Sequence, residues 1–173
     1  MRATVTTSKE NCDIAHLEHV DLREDPGAIA RIDAARKHAA LRGLLLNLND
    51  DDSPFSTFGC KVWTATDDSA AEANVFASRI DLRVSPGEED EAQYHDLARR
   101  LAGLLEREPG DALRAELQIS PAQLAGGRQG FCLRVFLFAR GTAPEQAQLR
   151  WSLGLARLQQ ALLFAARAIR QNR

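Results

Sequence analysis

The sequence predicts an α+β domain in which an antiparallel sheet is packed by helices, in the order α-ββ-α-ββ-α. Three observations predict it. Apolar residues recur at helical spacing in three stretches, apolar and polar residues alternate along two pairs of segments between them, and helix-start and turn signals fall at the junctions. A chain of 173 residues fits one domain and buries about 70% of the surface its unfolded form exposes. The division expected is an N-terminal arm at 1–24 and a single α+β domain at 25–173.

Residues 1–24 show no clean periodicity and read as an arm that packs weakly or adds a short strand at 2–6. Asp25 before Pro26 starts a helix: the carboxylate caps free N–H groups, and proline at the first helical position forfeits no donor. Ile29, Ile32, Leu41, Leu45 and Leu48 then fall at helical spacing, predicting a helix over 27–48 that ends in the Asn47 to Pro54 loop. Phe58, Cys60 and Val62 alternate with Gly59, Lys61 and Trp63, and Ile80, Leu82 and Val84 alternate with Arg79, Asp81 and Arg83. These are two strands of a hairpin. Ser85 and Glu88 form a capping box ahead of a helical face of Tyr94, Leu97, Ala98, Leu101, Leu104 and Leu105, closed near Pro109 and Gly110.

The pattern then recurs. Leu113, Ala115, Leu117 and Ile119 alternate with polar residues, as do Phe131, Leu133, Val135 and Leu137 with Cys132, Arg134, Phe136 and Phe138. The second hairpin has a glycine-rich tip at Gly126, Gly127 and Gly130. Thr142 and Glu145 make a second capping box, opening a final helix over 143–170. A shift of 57 residues superposes the two units, pairing Val62 with Ile119, Ile80 with Leu137, Tyr94 with Trp151 and Leu101 with Leu158; this is a candidate internal ββα repeat. Both faces of the second hairpin are partly apolar, so helices are expected on one face and another shield on part of the other.

Over 27–170 this element order resembles that of small bacterial secretion chaperones and the regulators sharing their fold. Those run helix, three strands, helix, two strands, helix and usually dimerise. The present chain has one strand fewer in the first unit and shares element order without a residue motif, so the resemblance implies architecture and assigns no binding residue.

Apolar residues at 45%, charged residues at 27% and a net charge of −2 match an average globular chain and create no field favouring nucleic acid or an acidic membrane. The first residues lack the apolar stretch of a signal peptide, and no run reaches the eighteen or so apolar residues of a membrane span. Three widely spaced cysteines, Cys12, Cys60 and Cys132, argue for free thiols in a reducing cytoplasm. The bias toward Ala, Arg and Leu suggests a bacterial source. No cofactor is expected.

Cys12, His16 and His19 are the one candidate metal cluster: on a helix their offsets of four and three place them on one stripe as zinc ligands, against the alternative of a solvated arm. Cys60 is a candidate nucleophile with His38 or His95, but its phase with Phe58 and Val62 marks a small apolar core position. Cys132 shares its face with Phe136 and Phe138 and is expected to be packed. The consecutive acids Asp50, Asp51 and Asp52 lack the alternating ligands of a calcium loop and read as a solvated turn. Glu88 to Glu91 complement a helix dipole. The tip at 125–130 carries Arg128 but lacks the lysine and hydroxyl of a phosphate loop. Arg150, Arg157, Arg167, Arg170 and Arg173 sit on the last helix without interleaved exposed aromatics.

The last helix is apolar on two sides. Trp151, Leu155, Leu158, Leu162, Ala165 and Ile169 form a core stripe, while Leu153, Ala156, Leu163 and Phe164 lie opposite, around Gln160. A helix apolar on two sides is buried on two sides, by the arm or first helix of its own chain or by a second copy. The function expected is therefore a non-catalytic protein-binding module, an adaptor or secretion-chaperone-like homodimer that pairs through Leu153, Ala156, Gln160, Leu163 and Phe164. The alternative is a small enzyme or ligand-binding domain with a pocket between sheet and helices, using His95 or Cys60.

Overall fold

β-branched and aromatic residues set in period-two alternation build one mixed sheet in the computed structural model of the chain. Residues 1–9, 22–67, 72–85, 87, 89–106, 112–123 and 127–171 are described. Among them the strands are β1 (Arg2–Thr7), β2 (Phe55–Thr66), β3 (Asn74–Val84), β4 (Leu113–Gln123) and β5 (Gln129–Gly141), laid side by side as β1-β4-β5-β3-β2. The expectation of a wholly antiparallel sheet is corrected at one edge. The threonine-rich N-terminal segment runs parallel to β4, with Arg2 opposite Arg114 and Thr7 opposite Ile119, whereas β2 with β3, β3 with β5 and β4 with β5 are antiparallel.

The helix expected over 27–48 is three pieces: a 3-10 segment (Pro26–Arg31), α1 (Asp33–Lys37) and α2 (Ala39–Leu48). Asp25 does cap the first piece, accepting from the Ala28 amide at 3.2 Å. The breaks fall at Ile32 and His38, both in extended backbone. At His38 the break turns the imidazole edge-on to Phe76 and Trp151, with ring centroids 5.3 and 5.2 Å away.

Two capping assignments also move. Pro86 and Glu88 of the first expected capping box lie outside the described residues; α3 (Glu91–Leu105) is capped instead by Asp90, whose carboxylate accepts from the amides of Ala92 and Gln93. Ahead of α4 (Pro144–Gln171) it is Gln146, not Glu145, that reaches back, its Oε1 accepting from the Thr142 amide at 2.7 Å.

The helices bury their apolar faces on one side of the sheet. Leu41, Leu44, Tyr94, Leu101, Trp151, Leu155, Leu158 and Leu162 join Ile80, Leu82, Leu117, Ile119, Leu133, Val135 and Leu137 in one core. Each such side chain contributes roughly 1.5–3 kcal/mol by leaving water. Gly154 lets α4 lie close on the sheet: a Cβ there would stand 3.0 Å from Leu137 and 3.1 Å from Leu113.

The phase read for β2 fails at one residue. A bulge between Thr57 and Gly59 releases Phe58 from the face of Cys60 and Val62, and its ring packs with Ala122 and Cys132 in a separate cluster, under the guanidinium of Arg83.

Candidate functional site: the outer face of α4

Because α4 turns Trp151, Leu155, Leu158 and Leu162 into the core, the side opposite must face outward. That side is apolar. Leu149 is 62% exposed, Leu153 54%, Leu163 48% and Phe164 60%, with Ala156 and Gln160 exposed between them. Leu149 is a member that the sequence reading missed. The signal for it is the spacing: Leu149, Leu153, Ala156, Gln160, Leu163 and Arg167 follow one another at steps of four and three alternately, the heptad seam of a helix that packs against another helix. The Arg167 guanidinium lies 5.8 Å from the Phe164 ring centroid, so even the charged end of the seam rests on an aromatic face.

Beside the C-terminal half of this seam is a cleft of about 170 Å³. Leu48, Phe55, Leu162, Leu163 and Ala166 line it, with exposed Asp50, Asp52 and Arg170 among its polar residues. Arg170 Nη1 donates to the Asp52 carbonyl at 3.3 Å and ties α4 to the loop after α2. Leu163 belongs to both cleft and seam, which makes them one continuous surface. Helix 1 of the expectation, now α1 and α2, leaves the seam exposed.

The other candidates separate. Cys12, His16 and His19 lie outside the described residues, and among the described residues no group of three or more His, Cys, Asp or Glu is placed to hold a metal ion. Cys60 packs against the core, where burial first and the charge of Asp81 second push its thiol up to about 11, against the opposing pull of Arg79. Burial and Lys37 lower the pKa of His38, which is held between aromatic rings rather than beside a thiol. His95 sits near the surface, 3.6 Å from Glu91.

Asp50, Asp51 and Asp52 are exposed in a turn closed by the Asp52 amide on Asp50 Oδ1. Arg128 pairs with Glu89 at 2.8 Å, and Arg150 with Glu72 at 2.7 Å.

On the sheet face away from the helices, the fully buried Asp81 has Arg79 Nη2 at 3.2 Å and Arg134 Nε at 3.8 Å, both off hydrogen-bonding alignment. Burial outweighs both cations and holds the carboxyl above its ordinary value. Four residues along β3 on the same face, beside Ala77, Trp63 and Phe138 meet edge to face at 6.1 Å. Charge alternation in β3 marked Asp81 and Arg79 as polar-face residues but did not mark the burial of Asp81.

Among the described residues no helix is long and apolar enough to cross a membrane. The chain matches no protein-family model, no curated protein and no solved structure.

Proposed function

We propose that the chain is a non-catalytic protein-binding module, an adaptor or secretion-chaperone-like protein, that acts as a homodimer through α4. One observation carries this reading: three large apolar side chains along one heptad seam of a 28-residue helix, Leu149, Leu153 and Leu163, and Phe164 beside the seam, stand about half or more exposed. A solvated helix face does not look like this, and pairing with a second copy is the commonest way to cover one. The high pKa of the Cys60 thiol and the aromatic cage of His38 argue against nucleophilic chemistry at the residues best suited to it. Cys60 and Cys132, present as thiols, support a reducing, cytoplasmic setting. The 57-residue repeat belongs to the same reading. It is supported by the order β4-β5-β3-β2, which reads alike from either end when the hairpins are exchanged, and by Tyr94 and Trp151, both fully buried near the starts of their helices.

The test is the mass of the purified protein by light scattering at tens of micromolar, followed by affinity capture of its client with mass spectrometry. A mass twice that of one chain supports the reading. A monomer at that concentration overturns it.

A further inference from the structure

Ser78, Ile80, Val135 and Leu137 turn toward the helices, so alternation turns Ala77, Arg79, Phe136 and Phe138 to the opposite face of the sheet. Strand register extends these into two rows. One runs Trp63, Ala77, Phe138, Arg114 across β2, β3, β5 and β4, and the next runs Lys61, Arg79, Phe136, Glu116. The open face of a sheet is ordinarily polar, yet three rings stand here, each partly exposed. They form one platform over the small Ala77. Trp63 meets Phe138 edge to face, and Phe136 and Phe138 lie 6.4 Å apart with ring planes only 9° from parallel.

Cations surround the platform. Lys61 is exposed beside Trp63, and the guanidinium of exposed Arg114 extends the platform, 5.9 Å from the Phe138 ring centroid. Arg79 and Arg134 share the single carboxylate of Asp81, while Arg114 takes Glu116. Four cations, Lys61, Arg79, Arg114 and Arg134, thus stand against two acids, an excess of two positive charges beside the rings. The net charge of −2 for the whole chain conceals this sorting. The arginines of α4 lack interleaved aromatics; the cations of this face have them.

A partner suited to the face brings negative charge and flat apolar surface together at a spacing of one or two residues. Unpaired bases supply π faces for stacking, and the phosphates between them meet the cations. A duplex hides its base faces, and a flat sheet projects nothing into a groove. An acidic peptide would engage the cations and leave the rings unused. We propose that the outer sheet face binds single-stranded nucleic acid, with bases stacked on Trp63, Phe136 and Phe138 and phosphates held by Lys61, Arg79 and Arg114. The site lies across the sheet from α4 and does not depend on whether α4 pairs two copies.

Trp63 reports on the site directly. The other tryptophan, Trp151, is fully buried and donates to Ser78, so a fluorescence change on binding belongs to Trp63. Oligothymidylate and oligouridylate of about twelve nucleotides are titrated in about 50 mM salt, with a duplex of the same length and polyglutamate as comparisons. The expected result is saturable quenching at tens of micromolar single strand. The logarithm of the affinity should fall with the logarithm of salt at a slope of about −2, from three phosphates at about 0.7 each.

Trp63→Leu should bind about 5–150-fold more weakly, the loss of one stacked base, and show no quenching. Lys61→Gln, which alters only an exposed side chain, should reduce the salt slope by about 0.7. Arg100→Gln removes the same charge from the exposed side of α3 and should bind as the wild type does. Absence of binding by both single strands overturns the proposal. So does duplex or polyglutamate binding as tight as that of the single strands, which would assign the face to a polyanion without stacking. Equal weakening by Lys61→Gln and Arg100→Gln, or undiminished binding by Trp63→Leu, also overturns it.

Discussion

Trp151 Nε1 donates a hydrogen bond to Ser78 Oγ at 2.9 Å, joining α4 to β3 where both residues are buried. Removing the acceptor leaves an indole N–H without a partner in the core, and that costs about 1–3 kcal/mol. Ser78→Ala should therefore lower stability by about that much in denaturant unfolding. A loss below about 0.5 kcal/mol would show that the bond does not fix α4 on the sheet.

The helical faces are tested by truncation. Leu101 on α3 and Leu158 on α4 are both buried. Leu101→Ala and Leu158→Ala should each destabilise by about 2–5 kcal/mol, the cost of lost burial plus the cavity left behind. Losses under about 1 kcal/mol at both positions would contradict the assigned faces.

Asp81 should leave a mark on stability against pH. Its carboxyl is held above the ordinary value of 3.8 by burial, in spite of Arg79 and Arg134. The folded chain thus binds this proton more tightly than the unfolded chain. The stability it contributes is fully present below 3.8 and is lost as pH rises through the folded-state pKa. Relative to Asp81→Asn, the wild type should lose stability over that interval and run parallel to the variant above it. A wild type that gains on the variant as pH rises from about 3.5 would contradict the assignment.

Cys60 should be a poor nucleophile. With its thiol pushed up to about 11, the thiolate at pH 8 is on the order of one part in a thousand. Alkylation by iodoacetamide at pH 8, read by peptide mass spectrometry, should be about 100-fold slower at Cys60 than at an unfolded cysteine. Labelling as fast as a free thiol would reopen the enzyme reading.

Much of the framework was legible because it is periodic. Alternation located both hairpins, and the apolar faces of α3 and α4 follow a helical period that needs no distant information. What escaped depends on contacts across the chain. His38 breaks the first helix where its ring meets Phe76 and Trp151, residues far away in sequence. Phe58 leaves its expected face because a one-residue bulge shifts the phase, and nothing in the alternation of β2 announces an extra residue. Asp90 rather than Ser85 caps α3, since several acids and hydroxyls near that start compete for the amides and tertiary packing selects one. At the candidate site, Leu153, Ala156, Gln160, Leu163 and Phe164 were legible as a second apolar side. Leu149 was legible too, through the heptad spacing, although it lies one turn ahead of the residues read as that side; the cleft was not, because the end of α2, the loop after it and the start of β2 supply its other wall.

The most direct measurement of the central claim is the mass in solution of Leu153→Asp with Phe164→Asp, compared with the wild type at the same concentration. Both residues are exposed in the single chain, so two carboxylates there leave its core untouched while placing buried, unpaired charge in any interface over α4. The account predicts a dimeric wild type and a monomeric variant with an unchanged circular dichroism spectrum and thermal unfolding that remains cooperative. A variant that stays dimeric with its fold intact, or a wild type that is already monomeric at tens of micromolar, would contradict it.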